Sequence, residues 1–167
     1  PEGKRARRDT PKVLRAAQVV VDEGLARPVL VGRAEVVRVR MKRLGLRIQP
    51  GEHFDLVDPE NDRRYSEYWR DYHQIMERRG TSPAQARTVL RTSSTVIAAM
   101  LLRKGEGDAM VCGTIGQYHR HLRHVLSVIG LKHGARTAAA LMVVVLQDRP
   151  LFVCDTYVSY DPSPSHI

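Results

Sequence analysis

The stretch that decides the fold runs from Pro28 to Gly45 and reads PVLVGRAEVVRVRMKRLG. Its first part, Pro28 to Gly32, is a short apolar run closed by glycine, which is typical of a strand buried in a parallel sheet. The part that follows, Ala34 to Leu44, carries apolar residues at helical spacing and stops at Gly45. A strand followed directly by an amphipathic helix is the repeating unit of an α/β protein.

The same alternation continues on both sides of this stretch. Asp9-Thr10-Pro11 has the composition of a helix start, because a capping residue precedes a proline whose missing N–H does no harm there. We predict helices over Pro11–Glu23, Ala34–Leu44, Tyr65–Arg79, Pro83–Leu90, Thr92–Arg103 and His119–Ile129. We predict strands over Pro28–Gly32, Phe54–Val57, Ala109–Cys112, Ala138–Leu146 and Leu151–Cys154. The expected fold class is α/β, with a mostly parallel sheet and helices on both faces.

The composition fits one globular domain. The chain has 167 residues, of which 43% are hydrophobic, and this is enough for a sizeable core. Cys112 and Cys154 are the only cysteines, which excludes a disulfide scaffold. The longest uncharged apolar run, Thr137 to Gln147, is about half of the roughly 20 residues that a membrane helix needs. We expect a soluble, cytoplasmic chain.

The charge is strongly basic. With 27 Lys+Arg against 18 Asp+Glu, the net charge is +9, which favours an anionic partner without choosing between nucleic acid and a phosphorylated small molecule. Tyr65, Tyr68, Trp69 and Tyr72 are spaced for the core and flank of a helix rather than for a base-stacking platform. A nucleic-acid module nevertheless remains an alternative.

The richest candidate site lies where the predicted strand Ala109–Cys112 ends and the next helix begins. Ligands of open α/β sheets bind beyond the carboxyl ends of the strands. Glycines let backbone N–H groups approach an anion, a helix N-terminus adds positive potential, and arginines supply charge. We predict a phosphate or carboxylate site formed by Gly113, Thr114, Gly116, His119, Arg120 and Arg123, with Asp155 at another strand end. Two plainer interpretations stay open: a tight turn before a solvated basic helix, and an Arg123–Asp155 ion pair.

Metal and thiol chemistry are less favoured by the pattern. His119, His121 and His124 are offset by two and five residues, so they do not share one helix face, and we expect no metal site. Cys112 at the end of an apolar strand is more typical of a small buried hydrophobe than of a nucleophile.

Several motifs occur together in a characteristic order. They are Val13-Leu-Arg-Ala-Ala17, Arg27-Pro-Val-Leu-Val-Gly-Arg33, Tyr72-His73 with Arg79-Gly80, Gly107-Asp-Ala-Met-Val-Cys-Gly113, Tyr118-His-Arg-His-Leu-Arg123, Phe152-Val-Cys-Asp-Thr156 and Asp161-Pro162. From about Lys12 to Ile167 the chain resembles the phosphate acetyltransferase-like C-terminal domain of bacterial NADP-dependent malic enzymes, within the phosphate acetyl/butyryltransferase family.

The resemblance implies a three-layer α/β/α sandwich of two subdomains with a ligand cleft between them. Residues 1–167 would be the N-terminal half of such a domain, the connection to the second subdomain starting at about residues 155–167. The basic stretch Lys4 to Arg8 is extra relative to the family, and its role stays open.

The resemblance also implies a function. Phosphate acetyltransferases move an acetyl group between phosphate and coenzyme A, and two of their arginines belong to this half. Arg123 matches the second arginine, whereas Met76 stands where the first is expected, four residues before Gly80. A thioether cannot replace the charge-assisted bonds of a guanidinium.

We therefore expect no catalytic residues in this segment, and instead a regulatory, acetyl-CoA-sensing and assembly domain of a malic enzyme. The implied ligands are acetyl-CoA or CoA and phosphate or sulfate, the implied assembly is a homo-oligomer such as a dimer, and no nucleic acid or membrane partner is expected. NADP and Mg or Mn would act in other domains, which convert malate to pyruvate and CO₂. An active phosphate acetyltransferase and a purely structural dimerisation domain are the alternatives.

Overall fold

The computed structural model of the chain describes residues 2–155 and Val158. It divides into two compact units, one ending at Ile129 and one beginning at Gly130. No helix among the described residues is long and apolar enough to cross a membrane.

The first unit alternates helices with two short strands, as the sequence predicts. Its elements in chain order are α1 (Glu2–Asp22), β1 (Val29–Val31), α2 (Ala34–Leu44), β2 (Asp55–Val57), α3 (Tyr65–Met76) continued by a 3₁₀ turn (Glu77–Arg79), α4 (Pro83–Thr92), α5 (Ser94–Arg103) and α6 (Tyr118–Val128). Strands β1 and β2 pair in parallel, with Leu30 opposite Leu56. The predicted α/β class is confirmed.

Helix ends follow the local chemistry of the sequence. Gly45 ends α2 with φ +64°, a left-handed conformation that an L side chain adopts only at a cost. Ser82 caps α4, because its side chain accepts from the Gln85 N–H while the Gln85 side chain accepts from the Ser82 N–H. Pro83 takes the first position of α4, where the missing N–H costs nothing.

The predicted start of the first helix at Pro11 is wrong. Helix α1 begins at Glu2, and Pro11 lies inside it. The residues before the proline are mostly Arg, Lys, Ala and Glu, which favour helix strongly enough to extend it across one lost backbone hydrogen bond. The basic stretch from Lys4 to Arg8 is thus helical in its backbone.

Two hydrophobic clusters form the core of the first unit. The smaller cluster joins α1, α2 and the first strands, and it contains Leu14, Ala17, Val37, Met41, Ile48 and Phe54. The larger cluster joins α3 to α6 and contains Val57, Tyr68, Tyr72, Ala86, Leu90, Val96, Ile97, Ala99, Met100, Leu101 and Val128. Burial of these faces fixes α5 against α6, and that contact positions the candidate site.

The aromatic residues of α3 belong to this core. Tyr68 and Tyr72 are 3% and 4% exposed, and Trp69 packs partly against the same cluster. The guanidinium of Arg87 lies 4.1 Å from the Trp69 ring centroid, which covers the remaining face with a cation–π contact. The prediction that these rings are core and flank residues is confirmed.

A charged cluster ties the segment after α5 to the start of α3. Glu106 pairs with Arg64 and accepts a hydrogen bond from the Tyr68 hydroxyl at 2.5 Å. Arg64 also binds Asp62, with 2.7 Å between Nη2 and Oδ2. These contacts fix the point from which the chain leaves α5 toward the candidate site.

The second unit is a β-hairpin, whose strands pair antiparallel within a fold that the sequence predicts to be mostly parallel. Strand β3 (Leu141–Val145) is shorter than the predicted Ala138–Leu146, and it pairs antiparallel with β4 (Pro150–Cys154). The four residues between them suffice for a direct reversal, whereas a parallel pair needs a long crossover.

The predicted strand Ala109–Cys112 does not form. These residues have no regular structure, and Val111 is 98% exposed. A strand exists only where a partner accepts and donates its backbone hydrogen bonds. Within residues 2–155, β1 and β2 pair only with each other, and neither of their outer edges is paired with this segment.

Candidate functional site

The glycine turn, residues 112–117, lies between α5 and α6, as the sequence predicts. Gly113 and Gly116 have φ values of +93° and +101°, which disfavour any side chain. Gly113, Thr114 and Gly116 are exposed, whereas Ile115 is half-buried. The turn therefore presents backbone to solvent at the entrance of α6.

The N-terminus of α6 carries an uncompensated positive potential. Its capping position, Gln117, makes no side-chain capping hydrogen bond, and the first turn contains no acidic residue. The first backbone N–H groups of a helix lack partners within the helix, and the helix dipole adds positive charge there. Both features favour an anion at this end of α6.

Arg120 and Arg123 add mobile positive charge to the same helix. They are three residues apart, so they lie along one side of α6, and both are exposed together with His119. Among residues 2–155, neither guanidinium takes part in a salt bridge. Both arginines are therefore available to an anionic ligand.

His121 connects the glycine turn to the core, a role that the sequence did not indicate. Its Nε2 lies 2.6 Å from the carbonyl oxygen of Ile115, and its Nδ1 lies 2.8 Å from the Thr95 hydroxyl. Thr95 is 5% exposed and belongs to α5. The imidazole thus spans from the first turn of α5 to the middle of the glycine turn.

His124 lies in a half-buried part of α6 that also carries two arginines. Burial is the main cause that lowers the pKa of His124, and the neighbouring His121, Arg120 and Arg123 lower it further. Arg120 and Arg123 therefore contribute positive potential to this part of the helix.

The described residues build no metal centre, and the Cys112 thiol is exposed. Within residues 2–155 and Val158, no three histidine, cysteine, aspartate or glutamate side chains group closely enough to hold an ion. Cys112 is exposed rather than buried, because its predicted strand does not form. Desolvation by neighbouring atoms still raises the pKa of its thiol, which lowers its reactivity at neutral pH.

Met76, which replaces the arginine expected from the resemblance, serves the core. It packs against the larger hydrophobic cluster at the end of α3. The nearby Arg79 donates from Nη1 to the Ser127 hydroxyl at 3.0 Å and so links the 3₁₀ turn to α6. The end of α3 therefore offers a thioether at the position where the resemblance implies a guanidinium.

Asp155 lies in the second unit, at the end of β4. Its Oδ1 accepts hydrogen bonds from the Ala140 N–H at 3.1 Å and from the Val158 N–H at 3.2 Å. These bonds close the open end of the hairpin. Its participation in the anion site, and its pairing with Arg123, stay predictions.

Comparison with known proteins identifies relatives over nearly the whole chain. Residues 6–167 match the family model for phosphate acetyl/butaryl transferase. The chain is 46% identical to an NAD-dependent malic enzyme of Rhizobium meliloti (strain 1021), covering 93% of this chain and 20% of that protein. It is 43% identical to an NADP-dependent malic enzyme of Salmonella typhimurium, covering 100% of this chain and 21% of that protein.

More distant relatives are phosphate acetyltransferases. The protein from Nitratidesulfovibrio vulgaris is 29% identical over 167 residues, covering 100% of this chain and 22% of that protein. The chain thus spans about a fifth of the length of the curated relatives that it matches.

A solved structure shows the fold, and the family model shows the family. The EutD phosphotransacetylase from Staphylococcus aureus superposes with a TM-score of 0.69 at 22% identity, covering 84% of this chain and 41% of that chain. This likeness confirms the predicted phosphate acetyltransferase-like α/β fold. From the match of residues 6–167, the chain belongs to the phosphate acetyl/butaryl transferase family.

Proposed function

We propose that this segment is a regulatory, acetyl-CoA-sensing part of a malic enzyme and does not itself transfer acetyl groups. Similarity supports the malic-enzyme part of this assignment, because four malic enzymes are 43% to 46% identical to the chain and three phosphate acetyltransferases are 26% to 29% identical. A probable NADP-dependent malic enzyme of Rickettsia prowazekii is 22% identical. On this proposal residues 1–167 form the N-terminal half of a phosphate acetyltransferase-like domain. The conversion of malate to pyruvate and CO₂, with a nicotinamide cofactor and Mg or Mn, takes place elsewhere in the polypeptide.

The observation that carries the proposal is the position of Met76. Acetyl transfer to phosphate needs several cationic groups around a dianion, and the family pattern places an arginine four residues before Gly80. Here the side chain at that position is partly buried and packs against the core. A site that keeps Arg123 and lacks the other guanidinium, at the position of Met76, retains an anion contact but loses part of the charge that stabilises the transition state.

The retained groups are suited to binding a phosphate of acetyl-CoA. Backbone N–H groups of the glycine turn, the N-terminus of α6 and the Arg123 guanidinium supply hydrogen bonds and positive charge. Arg120 and His119 lie on the same exposed part of the helix and extend the basic surface. Since the first turn of α6 contains no acidic residue, no internal anion competes with the ligand there.

Assembly into a homo-oligomer is part of the same proposal. One face of the hairpin is apolar and open, with Leu141, Val143, Val145 and Phe152 between 50% and 83% exposed. Apolar surface of this kind is normally covered by other protein, and on this proposal the cover is the second half of the domain, another copy of the polypeptide, or both. Sedimentation analysis of the complete polypeptide should therefore give a mass above that of the monomer, and a monomeric mass would remove assembly from the proposed role.

An active phosphate acetyltransferase is the second candidate, and membership of the transferase family favours it. The two candidate functions differ in whether the protein forms acetyl phosphate from acetyl-CoA and phosphate. We would incubate the complete polypeptide with acetyl-CoA and inorganic phosphate and measure acetyl phosphate. In parallel, malate decarboxylation would be followed with and without acetyl-CoA.

The proposal predicts no acetyl phosphate above the background without enzyme, together with a malate decarboxylation rate that changes when acetyl-CoA is added. Steady production of acetyl phosphate would overturn it in favour of the transferase. An unchanged decarboxylation rate and no detectable acetyl-CoA binding would leave a structural role. Tight, steeply salt-dependent binding to DNA or RNA would instead favour a nucleic-acid module.

A further inference from the structure

The imidazole of His121 makes two hydrogen bonds that join separate parts of the fold. One partner is the Ile115 carbonyl in the glycine turn, and the other is the Thr95 hydroxyl, 26 residues away along the chain. Neither partner is on α6 itself. His121 therefore links the position of the glycine turn to that of helix α5.

The chemistry of the partners determines which nitrogen donates. A carbonyl oxygen only accepts, so Nε2 carries a hydrogen and donates it to Ile115. In the neutral ring, Nδ1 then accepts from the Thr95 hydroxyl, which is able to donate. A neutral imidazole thus satisfies both contacts with a single tautomer.

The inner end of this connection is rigid. Thr95 lies in the first turn of α5 and is 5% exposed, and the next residue, Val96, is fully buried. The Ser93 side chain accepts from the Val96 N–H, which fixes the start of the helix. The hydroxyl that binds Nδ1 therefore has little freedom to move.

At the outer end of this connection, the glycine turn packs closely against the His121 imidazole. A Cβ atom added at Gly116 would lie 2.9 Å from His121 Nε2, closer than real Cβ atoms approach. At Gly113, on the other side of the turn, an added Cβ would meet nothing within 4 Å. The turn therefore packs against the imidazole at Gly116, whereas Gly113 lies free of it.

We propose that His121 is a positioning residue, which holds the glycine turn against α5 so that its backbone N–H groups face the anion. The proposal rests on the proposed function, because the ligand of the turn is the phosphate of a CoA ester. His121 touches no ligand in this scheme. It acts through the Ile115 carbonyl and keeps the turn in the conformation that binds.

The test uses the complete polypeptide with matched variants. His121→Leu removes both hydrogen bonds and keeps the bulk, while His121→Gln places an amide N–H near the position of Nε2. Thr95→Val removes the buried hydroxyl at constant shape. Ser127→Ala is the control, since it removes a different 3.0 Å hydrogen bond to α6, the one from Arg79.

Two quantities are measured for each variant. Amide hydrogen exchange of Arg120, whose N–H donates to the Gln117 carbonyl at the end of the turn, reports the order of the turn. Titration calorimetry at fixed salt reports the affinities for acetyl-CoA and for inorganic phosphate. We expect His121→Leu to speed exchange about tenfold and to weaken acetyl-CoA binding about fivefold. We expect Thr95→Val to give smaller changes in the same direction, His121→Gln to recover most of both losses, and Ser127→Ala to match the wild type.

The outcomes separate this proposal from the proposed function. Wild-type exchange in His121→Leu, or faster exchange with unchanged affinity, would overturn the positioning role. Equal losses in Ser127→Ala would also overturn it, because they would reflect general destabilisation of α6. If the wild type binds neither probe, the proposed function fails, and His121 is then a purely structural contact even where exchange changes.

Discussion

Replacing Gly116 with alanine tests the fit between the glycine turn and His121, and Gly113→Ala provides a matched control. Both glycines have strongly positive φ values, +101° and +93°, so alanine introduces similar backbone strain at each position. Strain of this kind costs roughly 1–3 kcal/mol. Only at Gly116 does the new methyl group also collide with a side chain, 2.9 Å from His121 Nε2.

The collision adds a second cost that the control lacks. The imidazole has to move away, and this breaks its 2.6 Å hydrogen bond to the Ile115 carbonyl. A hydrogen bond of this type contributes about 0.5–1.5 kcal/mol. Gly116→Ala should therefore destabilise the closed turn by about 1 kcal/mol more than Gly113→Ala, which corresponds to about fivefold faster exchange of the Arg120 amide, whose N–H donates to the Gln117 carbonyl.

This explanation requires that the difference in exchange rate between Gly116→Ala and Gly113→Ala depends on the His121 imidazole. In a His121→Ala background, where no imidazole remains to collide, the two glycine variants should exchange at similar rates. Equal exchange rates of the two variants in the presence of His121 would refute the reasoning. So would a difference that persists after His121 is removed.

Three further predictions concern stability and reactivity. The hydrogen bond from Arg64 lowers the pKa of Asp62 below its usual value near 3.8. The pair therefore stabilises the fold above that pH and loses its contribution as the pH falls through the lowered pKa. Asp62→Asn should reduce the loss of melting temperature between neutral pH and pH 3. Met100 in the larger cluster is 1% exposed, so Met100→Ala should lower the free energy of unfolding in denaturant by about 2–5 kcal/mol. Val39 is 65% exposed, so Val39→Ala should change that free energy by less than about 0.5 kcal/mol. Equal effects would mean that this cluster is not the core. Since desolvation raises the pKa of the Cys112 thiol, alkylation at neutral pH should be slower than for a free cysteine, and faster alkylation would contradict this environment.

Local signals predicted the helices well, because each helix end depends on a few neighbouring residues. Gly45 and the Ser82–Pro83 pair mark their helix ends in the structure as they do in the sequence. Pro11 was misleading, since the propensity of the preceding residues outweighed one lost hydrogen bond. Such competition is decided by the whole helix and cannot be read from a single motif.

Strand pairing was harder to predict, because a strand is defined by its partner. The apolar run before Cys112 has the pattern of a buried strand, yet it is irregular and Val111 is almost fully exposed. Strands β3 and β4 were located correctly, but their antiparallel pairing follows from the short connection between them. An apolar pattern alone indicates that a segment can be buried. It does not determine which strand the segment pairs with, or whether the pairing is parallel or antiparallel.

The glycine turn before α6 was predicted from the sequence, and the positive φ values of Gly113 and Gly116 agree with a turn there. The anion site that the glycines and basic residues indicated stays a prediction. The Thr95–His121–Ile115 connection was missed, because it depends on packing α5 against α6. A lone threonine among the apolar residues of α5 was the one available signal.

The central claim is that Arg123 of α6 binds the anionic part of a CoA ester, and calorimetric titration tests it most directly. Acetyl-CoA would be titrated at fixed salt into the complete polypeptide, its Arg123→Ala variant, and an Arg15→Ala variant. Arg15 is an exposed arginine on α1 and provides the same change of net charge.

The account predicts that Arg123→Ala weakens binding by about 1.5–3 kcal/mol, the contribution of a hydrogen bond to a charged group. This corresponds to a loss of affinity between about tenfold and somewhat more than a hundredfold. Arg15→Ala should bind like the wild type. Unchanged affinity in Arg123→Ala would contradict the account and place the acetyl-CoA site elsewhere.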